Sequence, residues 1–204
     1  MDADQALLER WRAGEQAAGR DLLARYFSQL HRFFSNKCNE PDELVQATFV
    51  ALVGARDQFA GRSSFRTYLF TIARHTLLAH LRVAQRERAF DPEVSSIAQL
   101  VTTPASRLAR SEDLRRLCAA LRTLPIDQQT LLELHYWEDL DAPALGEIFD
   151  LPAAAMRTRL SRARQTLRDA METAQAAPPD ALVSVDTLDT WARAVGPVAR
   201  PGAQ

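Results

Sequence analysis

Apolar residues recur every three or four positions along most of the chain, which is the spacing of one buried helix face. In the N-terminal part this pattern predicts two helices joined near residues 14–19, a third over about 43–55 and a fourth over about 65–81. Polar and turn-forming residues separate them. The four helices are expected to pack as a compact bundle, because each has one apolar face to bury.

The C-terminal part repeats the helical spacing after an interruption. Residues 89–106 contain two prolines and no sustained period, so they are interpreted as a linker. From residue 107 the pattern predicts two helices separated at Pro125, then short helices over 142–149 and 153–171. Two short helices joined by a tight turn are typical of a helix-turn-helix. A tail follows over 173–204, with a short amphipathic helix as one interpretation and disorder as the other.

Small polar residues stand where several of these helices begin. Asn39 or Asp42 is expected to cap the third helix, Ser63 or Ser64 the fourth, and Asp141 the first helix of the helix-turn-helix. Side-chain oxygens at these positions accept hydrogen bonds from backbone N–H groups that have no partner inside the helix.

Composition supports an all-α protein and excludes several classes. The 204 residues are 47% hydrophobic and 25% charged, with only 7 glycines. The first residues resemble no signal peptide and no stretch is long and apolar enough to span a membrane, so a cytoplasmic location without membrane insertion is expected. The two cysteines are far apart, and the histidines have no ligand-like spacing with them. We therefore expect no metal, no cofactor and no catalytic residues.

Charge is nearly balanced overall but strongly divided along the chain. The net charge is -1, yet residues 56–88 carry seven basic and two acidic side chains, and residues 157–171 carry five and one. Between them, residues 112–156 carry nine acidic side chains and three basic ones. Two separate basic blocks predict two contacts with a polyanion, each on its own helical unit.

The second basic block lies on the last helix of the predicted helix-turn-helix. The second helix of this motif enters the major groove, where arginine reads guanine edges and binds phosphate. The candidate DNA-binding residues here are Arg157, Thr158, Ser161, Arg162 and Arg164. The alternative is an arginine-rich helix face in contact with solvent alone.

The first basic block alternates arginines with aromatic residues. Cations beside stacking rings suit a surface for unpaired bases. The aromatic members, Phe65 and Tyr68 among them, fit equally well as core residues of the bundle.

Both blocks resemble one protein family. Residues 42–49 (DELVQATF) and 59–74 (FAGRSSFRTYLFTIAR) resemble region 2 of extracytoplasmic-function sigma factors, and residues 121–125 with 147–164 resemble region 4. The resemblance implies a bacterial RNA polymerase specificity subunit. It assigns region 2 to residues 1–88, the linker to 89–106 and region 4 to 107–172, two helical domains joined by a flexible linker.

The resemblance also implies roles for individual residues. The helix over 43–53 would dock on the clamp helices of core polymerase, and the C-terminal unit would lie near the flap. The recognition helix would read the minus-thirty-five element, and the first basic block would recognise and melt the minus-ten element. The implied polymerase contacts are Glu43, Gln46 and Val50; the implied minus-ten contacts are Arg62, Phe65, Arg66, Tyr68, Arg74 and His75. Promoter DNA and an anti-sigma factor or other regulator are further implied partners.

Three positions depart from the family pattern. Ala47 stands where glutamate is common, His75 where asparagine is usual, and Tyr68 where tryptophan is usual. Two other interpretations of the chain stay open at the sequence level. One is a helix-turn-helix regulator that binds duplex DNA without polymerase. The other is a sigma-like modulator that binds polymerase and no longer melts promoters.

Overall fold

The computed structural model describes residues 3–84, 90–100 and 112–174. The first group of helices is α1 (Ala3–Arg12), α2 (Gln16–Ser35), α3 (Pro41–Ala55), a 3-10 turn (Arg56–Gln58) and α4 (Phe65–Ala84). The second group is α5 (Ile97–Leu100), α6 (Glu112–Thr123), α7 (Ile126–Trp137), α8 (Ala142–Phe149) and α9 (Ala153–Ala174). The fold is all-α, as the sequence predicts, and the amphipathic helix considered for the tail lies outside the described residues.

The N-terminal bundle closes around leucines and aromatic rings. Phe33 meets Phe34 and Phe70 edge to face, with ring centroids 5.0 and 5.7 Å apart. Gly19 was expected in the connection between the first two helices, but it lies inside α2. A β-carbon there would stand 2.6 Å from the ring of Trp11, so α1 and α2 approach this closely only because residue 19 is glycine.

Two of the three predicted helix caps are confirmed. The Ser64 hydroxyl accepts a hydrogen bond from the Thr67 backbone N–H at 3.0 Å, and the Asp141 carboxylate accepts one from that of Ala144 at 3.0 Å. The expected cap of α3 by Asn39 or Asp42 is wrong. Glu40 occupies the cap position without a side-chain hydrogen bond, and Pro41 starts the helix, where no backbone N–H is needed.

Part of the predicted linker packs against the C-terminal unit. The Asp127 N–H donates to the Pro92 carbonyl at 3.0 Å, and the Ile126 N–H donates to that of Ser95 at 2.9 Å. Ile97, in the short helix α5, is fully buried. No regular structure was expected there, since a single buried isoleucine leaves no period in the sequence.

The helix-turn-helix has the predicted boundaries and a tight turn between its helices. Asp150 ends α8 in the left-handed conformation, at φ 55°. A β-carbon on Gly146 would stand 2.5 Å from the Leu151 carbonyl oxygen, so the turn can fold back on α8 only over a glycine. The two helical groups meet where α8 packs against α4, and one continuous core runs through both.

Candidate nucleic-acid interface

The recognition helix α9 divides cleanly into a buried and an exposed side. Met156, Leu160, Ala163 and Leu167 pack against the other helices of the C-terminal unit. Four of the predicted DNA contacts are exposed on the opposite side: Arg157, Thr158, Ser161 and Arg162. This side presents two guanidinium groups and two hydroxyls at the spacing of successive helix turns, a set that can hydrogen-bond to base edges and phosphates.

The fifth predicted contact, Arg164, is turned toward α7. Its Nε donates to the Tyr136 hydroxyl at 2.6 Å, and a terminal nitrogen donates to Nε2 of His135 at 3.2 Å. The guanidinium also lies 5.5 Å from the centre of the Tyr136 ring. These contacts attach α9 to α7, so Arg164 contributes to the packing of the motif.

Two of the arginines predicted to contact the minus-ten element are paired with carboxylates of the C-terminal unit. Arg66 donates to Glu138 at 2.7 Å, and Arg74 donates to Asp127 at 2.7 Å. The Arg74 guanidinium also lies 4.5 Å from the centre of the Phe149 ring. Arg62, in the loop before α4, is exposed.

The aromatic residues of the first basic block differ in exposure. Phe65 is 2% exposed, with its ring 5.5 Å from Tyr26 and 6.3 Å from Phe59. Tyr68 is half-buried, and its hydroxyl donates to the Ala55 carbonyl at 3.0 Å. Burial raises the pKa of Tyr68. Phe65 therefore lies in the core beneath this surface, and Tyr68 is the ring that reaches its edge.

His75 lies on the exposed side of α4 near two arginines. Partial desolvation, followed by repulsion from Arg74 and Arg82, lowers the pKa of His75 below its usual value. The imidazole is therefore mainly neutral at pH 7 and offers one donor and one acceptor, as the amide of asparagine does.

The three predicted polymerase contacts are exposed along one side of α3: Glu43, Gln46 and Val50. Gln46 and Val50 line an open groove of about 520 Å³ between α2 and α3. Its other walls include Phe27, Phe49 and Val53, and both Phe27 and Val53 are more than 40% exposed. This apolar surface is not apparent in the sequence, because Phe27 fits the helical period of α2 as if it were a core residue.

The acidic partners of the basic residues were also not predicted individually. Asp127, Glu133 and Glu138 all lie on or directly after α7 and are buried. The excess of acidic residues over 112–156 is visible in the sequence, but only the packing shows that Asp127 and Glu138 face α4 and that Glu133 pairs with Lys37.

Two classes of site find no support in the described residues. No group of His, Cys, Asp and Glu side chains there is arranged to hold a metal ion. Over the same ranges, no helix has the length and apolar character needed to cross a bilayer.

Comparisons with known proteins agree on one family. The family model for sigma-70 region 2 matches residues 20–87, and that for sigma-70 region 4 matches residues 114–167. The ECF RNA polymerase sigma-E factor of Haemophilus influenzae is 30% identical over 182 residues, covering 83% of this chain and 95% of that protein. The protein of the same name from Escherichia coli K12 is 30% identical over 177 residues, covering 80% of this chain and 92% of that protein.

Solved structures with a similar fold include two in which the matching chain is bound to another protein. CnrH in complex with the cytosolic domain of CnrY is 27% identical, with a TM-score of 0.62, and the match covers 86% of this chain and all of that one. The sigma factor RpoE of Bartonella quintana, solved in complex with the anti-sigma factor NepR, is similar in fold, with a TM-score of 0.56 and 24% identity. This match covers 74% of this chain and 92% of that one.

Proposed function

The chain belongs to the extracytoplasmic-function family of RNA polymerase sigma factors, and on this premise we propose which of its surfaces bind polymerase and which bind promoter DNA. A sigma factor directs core RNA polymerase to specific promoters and initiates transcription there; it is not itself an enzyme. The proposed site of action is the cytoplasm, where core polymerase and promoter DNA meet.

The proposed polymerase contact is the exposed side of α3 with the adjoining groove. Glu43 and Gln46 offer a carboxylate and an amide to basic partners, and Val50 is 67% exposed beside apolar groove walls. An exposed apolar patch rimmed by polar groups is typical of a protein interface. The match to sigma-70 region 2, which includes this helix, supports the clamp helices of core polymerase as the occupant.

The proposed minus-ten surface runs along α4 and the loop before it. Arg62, Arg66 and Arg74 would bind the DNA backbone, and Tyr68 would stack at the point of strand separation. His75 would hydrogen-bond to a base turned out of the stack. Because Phe65 is buried, its proposed contribution is to support the surface from below.

The proposed minus-thirty-five surface is the exposed side of α9. Arg157, Thr158, Ser161 and Arg162 would enter the major groove of duplex DNA together. Arg164 is proposed to help through the contacts that attach α9 to α7.

A regulator that binds the sigma factor is the further proposed partner. CnrH was solved with the cytosolic domain of CnrY bound, and the Bartonella RpoE was solved with NepR, which is named as an anti-sigma factor. Promoter binding by this chain is accordingly proposed to be controlled by a protein partner.

In vitro transcription with bacterial core polymerase and genomic promoter fragments tests the function. Protein-dependent transcripts, with permanganate-reactive thymines just upstream of the start, are expected. Stable binding to core without melting would indicate a modulator instead. Duplex DNA binding without core binding would indicate a stand-alone regulator.

Three variants and one control separate the proposed surfaces in the same assay. Val50→Asp is expected to weaken core binding about tenfold or more, because it places a carboxylate in an apolar contact. Ala51→Asp is the control, because it makes the same change at an exposed position outside the groove. Tyr68→Ala should reduce melting after core has bound. Arg157→Ala should reduce binding of upstream duplex and leave melting of a preformed complex unchanged.

A further inference from the structure

We propose that Arg12, in helix α1, is a positioning residue for promoter melting, because it fixes the segment 55–59 against which Tyr68 is held. This role rests on the proposed function of α4 as the minus-ten surface. The match to sigma-70 region 2 does not cover Arg12, because that match begins at residue 20.

The segment 55–59 connects the two proposed surfaces of the N-terminal bundle. It begins at the last residue of α3, whose exposed side is the proposed polymerase contact, and continues through the 3-10 turn. The loop that follows carries Arg62 and leads into α4. A contact that fixes this segment therefore also fixes the start of α4 relative to α3.

Arg12 binds the segment through two backbone carbonyls. Its Nε donates to the Arg56 carbonyl at 3.0 Å, and a terminal nitrogen donates to that carbonyl and also to the Phe59 carbonyl, the latter at 2.7 Å. The Arg12 side chain is only 28% exposed, so water competes weakly for these bonds. Because charged donors form the stronger hydrogen bonds and the guanidinium is a rigid fork, Arg12 stabilises this conformation of the segment.

Other residues of α1 contact the same loop. The Arg56 guanidinium lies 5.3 Å from the centre of the Trp11 ring. Further along, Gly61 adopts the left-handed conformation at φ 69°, and a β-carbon on it would stand 3.9 Å from the side-chain nitrogen of Gln5. Helix α1 therefore lies beside the loop from residue 56 to residue 61.

Two contacts with the segment hold Tyr68. Its hydroxyl donates to the Ala55 carbonyl at 3.0 Å, and its ring centroid lies 5.0 Å from that of Phe59. The Arg12 guanidinium lies 6.0 Å from the centre of the same Phe59 ring. Both partners of Tyr68 belong to the segment that Arg12 binds, so the orientation of the Tyr68 ring depends on Arg12.

The charge of Arg12 also reaches Tyr68. Burial raises the pKa of the Tyr68 hydroxyl, and the Arg12 guanidinium opposes this rise. The positive charge therefore lies close to the ring at the proposed point of strand separation.

Holding Tyr68 in one orientation favours strand separation. An aromatic ring stacks with an unpaired base only if its face is presented where the base leaves the duplex. A ring that turns freely must be ordered during melting, whereas a ring held by its neighbours has already lost this freedom on folding. The Arg12 contacts are therefore expected to speed melting and to leave core binding by α3 unchanged.

Arg12→Gln tests this role on two templates. Holoenzyme is assembled from bacterial core polymerase and the full-length variant. A promoter fragment that is active with the parent protein is used as intact duplex and with mismatched bases across the melted region. We expect permanganate-detected opening of the intact duplex to be about tenfold slower, within the range for one lost base–aromatic stack. Core binding and transcription from the mismatched template should match those of the parent.

Arg10→Gln is the matched control, since it makes the same substitution in the same helix, where Arg10 pairs with Glu15 on the exposed side. This control should open the duplex at the parent rate. An equal loss on both templates with Arg12→Gln would indicate a general folding defect. An equal loss of opening with Arg10→Gln would indicate an effect of net charge. Either result overturns the proposal.

A double-mutant cycle tests whether Arg12 acts through Tyr68. Tyr68→Ala removes the ring that Arg12 is proposed to position, so Arg12→Gln should cause little further loss of opening in that background. If the two losses multiply in the double variant, as they do for independent sites, the positioning role is overturned.

Phe59→Leu covers the case in which Arg12→Gln loses helical structure by circular dichroism. It keeps an apolar side chain in the core and both carbonyls that Arg12 binds, but it removes the ring that contacts Tyr68. Opening of the intact duplex should again slow, while the mismatched template is transcribed as by the parent. Opening at the parent rate would overturn the proposal.

The parent protein in the same assay separates this role from the proposed function. If no fragment gives a protein-dependent transcript, the proposed function is wrong, and the role of Arg12 is wrong with it. If the parent transcribes and Arg12→Gln opens the intact duplex equally fast, only the positioning role is refuted.

Discussion

Lys37 donates a hydrogen bond to Glu133, 96 positions away in the chain, and both side chains are buried. The Lys37 ammonium also donates to the Phe33 carbonyl at 2.7 Å and lies 4.1 Å from the centre of the Phe33 ring. Lys37 is therefore attached to α2, and its charge is balanced by the other helical unit. Its environment depends on how the two units lie together.

Replacing Lys37 tests how firmly the units are joined. Lys37→Met leaves the buried charge of Glu133 uncompensated, and we expect the free energy of unfolding in urea to fall by about 3 kcal/mol, as for other buried ion pairs that lose one partner. Lys37→Met with Glu133→Gln should recover most of the loss. A loss below about 1 kcal/mol would mean that water reaches Glu133 in the folded protein.

Two glycines should respond oppositely to the same substitution. Gly19→Ala places a β-carbon 2.6 Å from the Trp11 ring and is expected to lower the free energy of unfolding by about 1–3 kcal/mol. Gly54→Ala, in helix α3, meets nothing within 4 Å and should raise it by up to about 1 kcal/mol. Urea unfolding followed by circular dichroism measures both. Equal effects would contradict the tight approach of α1 to α2.

Two arginines of α9 that are two residues apart should affect DNA binding and folding separately. Arg162 is exposed, so Arg162→Ala is expected to weaken binding to promoter duplex by about 1 kcal/mol or more and to leave the melting temperature unchanged. Arg164→Ala removes the hydrogen bonds to Tyr136 and His135 and should lower the melting temperature. Fluorescence anisotropy and thermal unfolding distinguish the two. The opposite pattern would mean that Arg164 is the DNA contact.

His75 should make DNA binding depend on pH below neutrality. Desolvation and repulsion from Arg74 and Arg82 lower its pKa, so it is mainly neutral at pH 7 and gains its charge only at more acidic pH than an ordinary histidine does. Between pH 7.5 and 5, the salt slope for single-stranded DNA is expected to steepen by about 0.7, the value for one added phosphate contact. His75→Asn should remove this change and keep binding at pH 7.5.

The lowered pKa of His75 also makes the stability of the folded protein depend on pH. Because the folded protein binds this proton less readily than the unfolded chain, His75 contributes stability above its unfolded pKa and loses that contribution as the pH falls below it. A parent protein that loses stability toward pH 5 no faster than His75→Asn would contradict this assignment.

The sequence determined most of the local structure and the main candidate residues. The helical period and the turn residues predicted the helix-turn-helix boundaries closely. The Asp141 cap could also be predicted, because a single acidic residue stands there before an apolar run. The cap prediction for α3 failed because the helix starts at Pro41, so that Glu40 occupies the cap position and neither Asn39 nor Asp42 does.

Tertiary contacts explain what the sequence did not predict. Whether Phe65 faces DNA or the core has no signature in helical spacing, and only its contacts with Tyr26 and Phe59 decide it. Likewise, the excess of acidic residues over 112–156 is plain in the sequence, but pairing Arg74 with Asp127 requires the packing of α4 on the C-terminal unit.

The ion pairs that Arg66 and Arg74 of α4 make with Glu138 and Asp127 mean that the protein carries its own counterions. Ordinary DNA binding releases cations from the nucleic acid, whereas here Asp127 and Glu138 must also leave the guanidinium groups of Arg66 and Arg74. Salt weakens these internal pairs and the contacts with phosphate alike. Promoter engagement by the free protein should therefore be less sensitive to ionic strength than the number of arginines on α4 would suggest.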